Sequence, residues 1–171
     1  MNLIVKPTLN HSKILSEISR TSFLSAHGHS ASKEDIDNYV ARNFSEGVLL
    51  KELENSDNVF YLIYHKNTIA GYSKIVLNKT SKDISEENIV YMSRLYLLEE
   101  FYGLGLGQEL FRFNLELAKQ NNKAGIWLAV WVENQKGISF YKKMGFKKVG
   151  DFNFKISETH SNPNHILYLE F

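Results

Sequence analysis

The sequence contains no cysteine, only two prolines and no long apolar run. Without cysteine the chain has no thiol nucleophile, no disulfide and no cysteine-ligated metal. The longest uninterrupted apolar run is Ile126 to Val132, far short of the roughly 20 residues that a helix needs to cross a bilayer. The first ten residues lack a basic segment followed by a long apolar stretch, so we expect no signal peptide. These absences predict a cytoplasmic protein that does not insert into a membrane.

The charge of the chain is close to balanced. Twenty Lys and Arg residues against 19 Asp and Glu residues leave a net charge of +1. That balance gives no overall attraction to nucleic acid, so we expect no nucleic-acid partner. At 171 residues, with 43% hydrophobic and 13% aromatic residues, the chain has ample material for one packed core. We therefore predict a single domain over 1–171.

The first third of the chain has helical periodicity. Ile14, Leu15 and Ile18 recur at helical spacing. Ser32 followed by Asp35 resembles a capping box at the start of a second helix, whose apolar stripe runs to Phe44. A third, shorter helix is predicted near residues 47–53. From residue 59 onward the pattern changes to strands, and the predicted strands cover residues 59–64, 69–77, 89–98, 126–132, 147–156 and 165–171.

A glycine-rich turn lies between the strand at 89–98 and the helix that follows it. Gly103, Gly105 and Gly107 alternate with other residues, and glycine lets the backbone turn tightly and present several N–H groups at once. Together with the N-terminus of the next helix, such a turn is typical of a phosphate site, although a purely structural turn is the alternative. The spacing does not fit the dinucleotide motif, and Gln108 stands where a nucleoside-triphosphate loop needs lysine.

A second motif follows the strand at 126–132. Asn134 is followed seven residues later by Tyr141, and Gly145-Phe146 comes next. In this order the two motifs resemble the Gcn5-related N-acetyltransferase (GNAT) family, which uses acetyl-CoA, and the resemblance is strongest over residues 94–146. It implies an α/β (α+β) fold in which helices flank a central mixed, mostly antiparallel sheet with a β-α-β core that binds acetyl-CoA. Within the family, residues 126–131 and 140–146 are most similar to PaiA-type polyamine acetyltransferases.

The resemblance also implies which residues bind acetyl-CoA, with no metal involved. The strand before the turn contributes backbone groups, the turn holds the pyrophosphate, and Asn134 bonds the pantetheine arm. Tyr102 departs from the family pattern, which has Arg or Gln there, so one side-chain contact to phosphate is missing. The implied residues are Leu95, Tyr96, Leu97, Tyr102, Gly103, Leu104, Gly105, Leu106, Gly107, Gln108, Asn134 and Tyr141.

The chemistry of the transfer needs an acid and a base. Tyr141 occupies the position of the family's general acid, and a tyrosine of pKa near 10 can protonate a departing thiolate of pKa about 8.5. Many relatives carry Glu near positions 91 and 93, but this chain has Tyr91 and Ser93 there. We expect one of these two side chains to accept the proton of the amine through a water molecule.

The acceptor implied by the resemblance is a small cationic amine, with spermidine or spermine favoured. Seven acidic and three basic residues lie between 33 and 57, and Glu34 and Asp35 are the predicted acceptor ligands, although a solvated helix face explains the same acids. His27 and His29 lack a third ligand for a metal, so they are expected in a loop or substrate site. The alternatives are acetylation of a protein N-terminus or lysine, and a non-catalytic CoA-binding regulator. A homodimer is a further expectation.

Overall fold

The fold consists of one seven-stranded sheet and five α-helices. It is described by a computed structural model of residues 1–171. The elements in chain order are β1 (Asn2–Val5), α1 (Ser12–His27), α2 (Lys33–Phe44), α3 (Glu46–Glu54), β2 (Asn58–His65), β3 (Thr68–Val76), β4 (Ile89–Leu97), α4 (Leu106–Gln120), β5 (Gly125–Trp131), α5 (Gln135–Lys143), β6 (Lys147–Lys155) and β7 (Ser161–Glu170).

The sheet has the strand order β1-β2-β3-β4-β5-β7-β6. Only β4 and β5 pair in parallel, and every other neighbouring pair is antiparallel. A parallel pair requires a crossover connection, and α4 supplies it between β4 and β5. The predicted mixed, mostly antiparallel sheet with a β-α-β core is therefore confirmed.

The two parallel strands separate along their length. Their pairing covers only three positions and ends at Tyr91 opposite Trp127. Beyond that point β4 continues to Leu97 and β5 to Trp131 without pairing to each other, so the sheet opens between them. Opposite β3, Lys74 pairs with Arg94 and Ile75 with Met92, which leaves Ser93 as the extra residue of a β-bulge.

The helices cover both faces of the sheet. The first three helices bury their apolar stripes against Phe60, Leu62 and Tyr72, while α4 packs on the opposite face against Ile63 and Ala70. This arrangement follows from the alternation of side chains along a strand, which sends neighbouring residues to opposite faces. None of the five helices combines the length and the hydrophobicity that crossing a membrane would require.

The structure differs from the predicted elements at both ends of the chain. Residues Asn2–Val5 form a strand on the edge of the sheet, ahead of the predicted first helix, and the sequence did not predict this strand. Four residues are too few for an alternation of their own, and pairing with β2 defines this strand. The last strand begins at Ser161 rather than His165. Pro163 is tolerated because residues 161–163 of β7 pair with β6 alone, since the pairing with β5 begins only at Asn164.

Candidate functional site

Two cavities open on either side of the gap between β4 and β5. The turn cavity, of about 1070 Å³, is lined by the glycine turn, the start of α4 and one side of α5. The aromatic cavity, of about 290 Å³, is lined by residues of the helices and strands around the gap, and eight of these residues are Phe, Tyr or Trp. The residues that line both cavities are Leu95, Tyr96, Trp131, Asn134 and Tyr141. Two compounds bound in these cavities would meet at this junction.

The glycine turn presents backbone donors to the turn cavity. Gly103 and Gly105 have φ angles of +78° and +77°, a conformation that favours glycine. None of the backbone N–H groups from 103 to 108 has a hydrogen-bond partner within the protein. The first turns of α2, α3 and α5 are each capped by a side chain, whereas the N-cap residue of α4 is Gly105, which has no side chain to cap the helix. The free donors and the helix dipole together make this end suited to a phosphate group.

The predicted residues of the turn lie at this cavity with one exception. Leu104 is 53% exposed and does not line the cavity, whereas the other predicted residues from 102 to 108 do. The Tyr102 ring is close to Lys136, whose Nζ lies 5.9 Å from the ring centroid. Burial, and then the charge of Glu99, raises the pKa of Tyr102, so this side chain offers a neutral hydroxyl.

Cationic side chains also line the turn cavity. Lys136 and Lys143 do so. Lys143 belongs to a basic stretch of four lysines, at 142, 143, 147 and 148, in which the sequence predicts either CoA-phosphate contacts or a solvated basic face. Lys148, from the same basic stretch, instead forms an ion pair with Asp151 at 2.8 Å. Two lysines near the free N–H groups add positive charge where an anionic compound would bind.

The end of β4 supplies the wall between the two cavities. Leu95, Tyr96 and Leu97 line the turn cavity and pair on one side with β3, and their predicted contact with the pantetheine arm stays a prediction. Their other edge faces the gap, because β5 does not pair with β4 beyond Tyr91. An extended ligand arm could therefore bond to this free backbone edge.

Asn134 has two roles in this geometry. Its Oδ1 accepts the backbone N–H of Gly137 at 2.9 Å, so the side chain caps α5. Its Nδ2 donates to no protein group, and the residue lines both cavities. The predicted contact with the pantetheine arm stays a prediction, and only Nδ2 is available to make it.

Tyr141 lies at the junction of the two cavities. Its ring packs edge-on against Phe140 and Phe146, with centroids 5.3 and 5.4 Å away. Burial, and to a smaller extent Tyr91, raises the pKa of Tyr141 above its ordinary value. The hydroxyl therefore keeps its proton at neutral pH, which an acid must do before it can donate.

The predicted proton acceptors, Tyr91 and Ser93, both line the aromatic cavity. The Tyr91 ring stacks on Trp127 with centroids 4.2 Å apart. Burial raises the pKa of Tyr91, so its hydroxyl is neutral and could pass on a proton but not remove one as an anion. Ser93 occupies the β-bulge of β4, which has no partner residue in β3.

His27 also lines the aromatic cavity. In the sequence, the only feature that distinguished this residue was its spacing from His29. His27 ends α1 and lies 6.1 Å from Tyr96 and 5.9 Å from Trp131, measured between ring centroids. Burial, and then the charge of His29, lowers the pKa of His27 to about 4. Its imidazole is neutral at pH 7 and can accept a hydrogen bond. No group of three or more His, Asp or Glu side chains is placed to hold a metal.

The floor of the aromatic cavity contains a buried ion cluster. Glu52 bonds both terminal nitrogens of Arg94, at 2.7 and 3.0 Å, and also pairs with Lys74 at 3.0 Å. Burial opposes the charge on Glu52, but Arg94 and Lys74 outweigh it and lower the pKa of the carboxyl. In the sequence, this cluster is indicated only by a charged residue within each of two apolar strands, Lys74 in β3 and Arg94 in β4.

The predicted acceptor ligands are not brought to the site. Glu34 and Asp35 lie in the first turn of α2, and neither lines either cavity. Ser32 caps this helix by accepting the N–H of Asp35 at 3.2 Å, which confirms half of the predicted capping box. Among the acids between 33 and 57, Glu52 is the one held next to the aromatic cavity, behind Arg94.

Comparisons with known proteins agree with this geometry. Residues 14–146 match the acetyltransferase (GNAT) family. Spermidine N(1)-acetyltransferase of Thermoplasma acidophilum is 30% identical over 153 residues, covering 84% of this chain and 87% of that protein. An uncharacterized N-acetyltransferase of Lactobacillus delbrueckii subsp. lactis is 28% identical over 141 residues, 82% of each chain.

A solved structure extends the likeness to the whole fold. The crystal structure of PaiA N-acetyltransferase from Thermoplasma acidophilum, in complex with coenzyme A, superposes with a TM-score of 0.80 at 23% identity. The superposition covers 100% of this chain and 99% of that chain. The predicted family resemblance and the predicted fold are both confirmed.

Proposed function

The chain belongs to the acetyltransferase (GNAT) family, and on that premise we propose that it transfers the acetyl group of acetyl-CoA directly to an amine of a small molecule. The observation that carries this proposal is the meeting of two cavities at Tyr141. One cavity has the donors that a phosphate-bearing compound needs, and the other is enclosed enough for a small acceptor.

Acetyl-CoA is proposed to occupy the turn cavity. Its pyrophosphate fits the free N–H groups between 103 and 108, which otherwise leave the end of α4 without hydrogen-bond partners. The pantetheine arm would run along the free edge of β4, toward Leu97, with Asn134 Nδ2 on its other side. This path brings the thioester to the junction of the cavities, where Tyr141 lies.

The transfer is a single displacement at the thioester carbonyl. The amine nitrogen forms a bond to the carbonyl carbon, the carbon–sulfur bond breaks, and Tyr141 donates its proton to the departing sulfur. An acceptor that arrives as an ammonium ion first releases one proton to solvent, through water near Tyr91 and Ser93 or through the neutral imidazole of His27, and this frees the lone pair of the nitrogen. After the attack the nitrogen loses a second proton, which replaces the one that Tyr141 gave to the sulfur. A thiol-bound acyl intermediate is excluded because the chain has no cysteine.

The support for the acceptor class comes from the name of a relative and from the size of the aromatic cavity. The name of the relative from Thermoplasma acidophilum suggests a polyamine. A protein N-terminus or lysine is a weaker candidate, because the aromatic cavity measures only about 290 Å³. A homodimer and a cytoplasmic location stay predictions.

The proposal is tested by measuring acetyl-CoA binding and CoA thiol release with polyamines, amino acids, other small amines and peptides. We expect acetyl-CoA to bind and at least one small amine to be acetylated. Turnover with peptides alone would favour the protein acetyltransferase. Tight acetyl-CoA binding without turnover of any acceptor would favour a non-catalytic regulator, and no binding at all would refute the assignment of the turn cavity.

A further inference from the structure

The charges around the aromatic cavity are those of an anion site rather than a polycation site. Its lining contains two cationic side chains, Lys79 and Arg94, and no Asp or Glu. A spermidine-like acceptor carries several positive charges, and recognition of such a chain normally places carboxylates along it. The lining of the aromatic cavity contains no carboxylate that could bind such a chain.

The cationic floor is only partly neutralised. Glu52 is the carboxylate nearest to Arg94, and it is shared with Lys74, whose Nζ is 3.0 Å away. Arg94 Nη1 lies 2.7 Å from the same carboxylate. Two cations therefore share one carboxylate, and the cluster keeps an excess of positive charge beneath the cavity.

Lys79 adds a second positive charge from the loop between β3 and β4. Its Nζ lies 4.4 Å from the centroid of the Tyr91 ring and has no carboxylate within ion-pair distance. The residue is exposed, so this ammonium group faces solvent at the edge of the cavity. An anionic group of a ligand would supply the partner that the protein does not provide.

The aromatic rings do not reverse this preference. Aromatic faces can bind a cationic ligand through their π-electrons. Here the protein's own cations already occupy two of those faces, Lys79 on Tyr91 and Arg94 on Phe44, the latter at 4.9 Å. A cationic acceptor would have to share the cavity with both charges.

Two side-chain amide groups in the aromatic cavity are also suited to bind an anionic ligand. Asn162 is buried, its Oδ1 lies 2.8 Å from His160 Nε2, and its Nδ2 has no protein partner. Asn134 Nδ2 is also free, and both residues line the aromatic cavity. These N–H donors and the two cations match ligand oxygens, while the aromatic rings match an apolar body.

We propose that the acceptor is an amine that also carries an anionic group, such as a carboxylate, on an aromatic or apolar body, and that Lys79 selects for this anion. The inference rests on the proposed acetyl transfer and names its substrate class. Attraction to the anion and repulsion of polycations act together, as specificity usually requires.

Matched acceptors test the substrate class. We would compare phenylalanine with phenylalaninamide and phenethylamine, and 4-aminobutyrate with butylamine and 1,4-diaminobutane, by CoA thiol release. We expect kcat/KM for the carboxylate-bearing acceptor of at least one series to exceed that of the counterparts without a carboxylate by about tenfold or more. Higher kcat/KM for 1,4-diaminobutane or spermidine than for every acid would overturn the inference while leaving acetyl transfer established.

A charge change at Lys79 tests the assignment of the selecting residue. Lys79→Met should lower kcat/KM for the carboxylate-bearing acceptor about tenfold and should not lower kcat/KM for the matched amine without a carboxylate. Lys82→Met is the matched control, since Lys82 is exposed on the same loop and lines neither cavity. An equal loss with both acceptors, or no loss with either, would refute the role of Lys79.

A binding measurement keeps the inference testable if none of these amines is acetylated. With the CoA-saturated enzyme, calorimetry should show 3-phenylpropionate binding at least tenfold more tightly than 3-phenylpropan-1-ol. Lys79→Met should abolish the difference. Equal binding of the two compounds, or no binding of either, would overturn the inference, whereas failure of CoA itself to bind would refute the proposed function.

Discussion

The turn cavity and the aromatic cavity are built in different ways. The turn cavity depends on backbone N–H groups from one continuous stretch, residues 103–108, at the start of α4. The aromatic cavity depends on side chains from α1, α2, β4, β5 and β7, which are distant in sequence. A backbone site tolerates changes of side chain but not of backbone conformation, while a side-chain site behaves in the opposite way. The first kind leaves a local motif in the sequence, and the second does not.

The largest expected effect is at the junction, where the two cavities must act together. Tyr141→Phe removes the proposed proton donor and keeps the ring, so kcat should fall by about 10²- to 10⁴-fold. The measurement is kcat with saturating acetyl-CoA, together with the acetyl-CoA Kd, which should stay close to wild type.

Tyr61→Phe is the control for this change. The Tyr61 ring packs on Phe113, with centroids 4.6 Å apart, and lines neither cavity. Its kcat should match that of the wild type. An unchanged kcat in Tyr141→Phe would remove Tyr141 from the mechanism.

A change beneath the aromatic cavity should affect stability. Glu52→Gln leaves Arg94 and Lys74 without their shared carboxylate, and breaking a buried pair in this way costs about 3 kcal/mol of unfolding free energy. Urea unfolding at pH 7 measures the loss. Glu54→Gln, at an exposed position of the same helix, should be nearly neutral.

The pH dependence of the unfolding free energy distinguishes the contribution of Glu52 from those of other titratable groups. The pKa of Glu52 is lowered in the folded state, so its stabilisation is present above the ordinary value of 4.5 and is lost as the pH falls through the folded value. Glu52→Gln should not show this loss at acid pH. An identical acid dependence in variant and wild type would contradict the ion cluster.

His27 should affect the unfolding free energy in a different pH range from Glu52. Its pKa is about 4 in the folded protein against 6.5 ordinarily, so below pH 6.5 the unfolded chain gains a proton that the folded chain does not bind. Stability should therefore fall between pH 6.5 and 4, by up to about 3 kcal/mol. His27→Phe should flatten this part of the curve, while Glu52→Gln should retain it. Equal slopes in His27→Phe and wild type would show that His27 is not buried as described.

The smallest expected effect is in the turn cavity. Gly105→Ala places a side chain at a φ of +77°, which costs about 1–2 kcal/mol even though no atom lies within 4 Å of the new Cβ. Relaxation of the turn would move the free N–H groups, so we expect the acetyl-CoA Kd to rise about tenfold. Gly47→Ala is the control, because it also enters open space but needs no positive φ. Unchanged acetyl-CoA binding in Gly105→Ala would show that the backbone of the turn is not the phosphate site.

The same contrast explains what could be predicted from the sequence. The glycine turn, the strand before it and the position of Tyr141 follow from local spacing, and the strands from β2 onward follow from alternation and turn residues. The short β1 was missed because only its pairing with β2 defines it.

The acceptor side could not be predicted in the same way. The acids of α2 were expected at the acceptor, but Glu34 and Asp35 line neither cavity, since their distance from the gap depends on how α2 packs on the sheet. Lys79 lies in a polar loop with no motif, and the burial of His27 depends on contacts with β4 and β5. These features arise from tertiary packing rather than from sequence spacing.

The most direct test of the central claim is the initial-rate pattern when acetyl-CoA and the preferred acceptor are varied together. If the two cavities hold both substrates at once around Tyr141, double-reciprocal plots should intersect. Parallel lines would indicate that CoA leaves before the acceptor binds, and they would contradict direct transfer between the cavities.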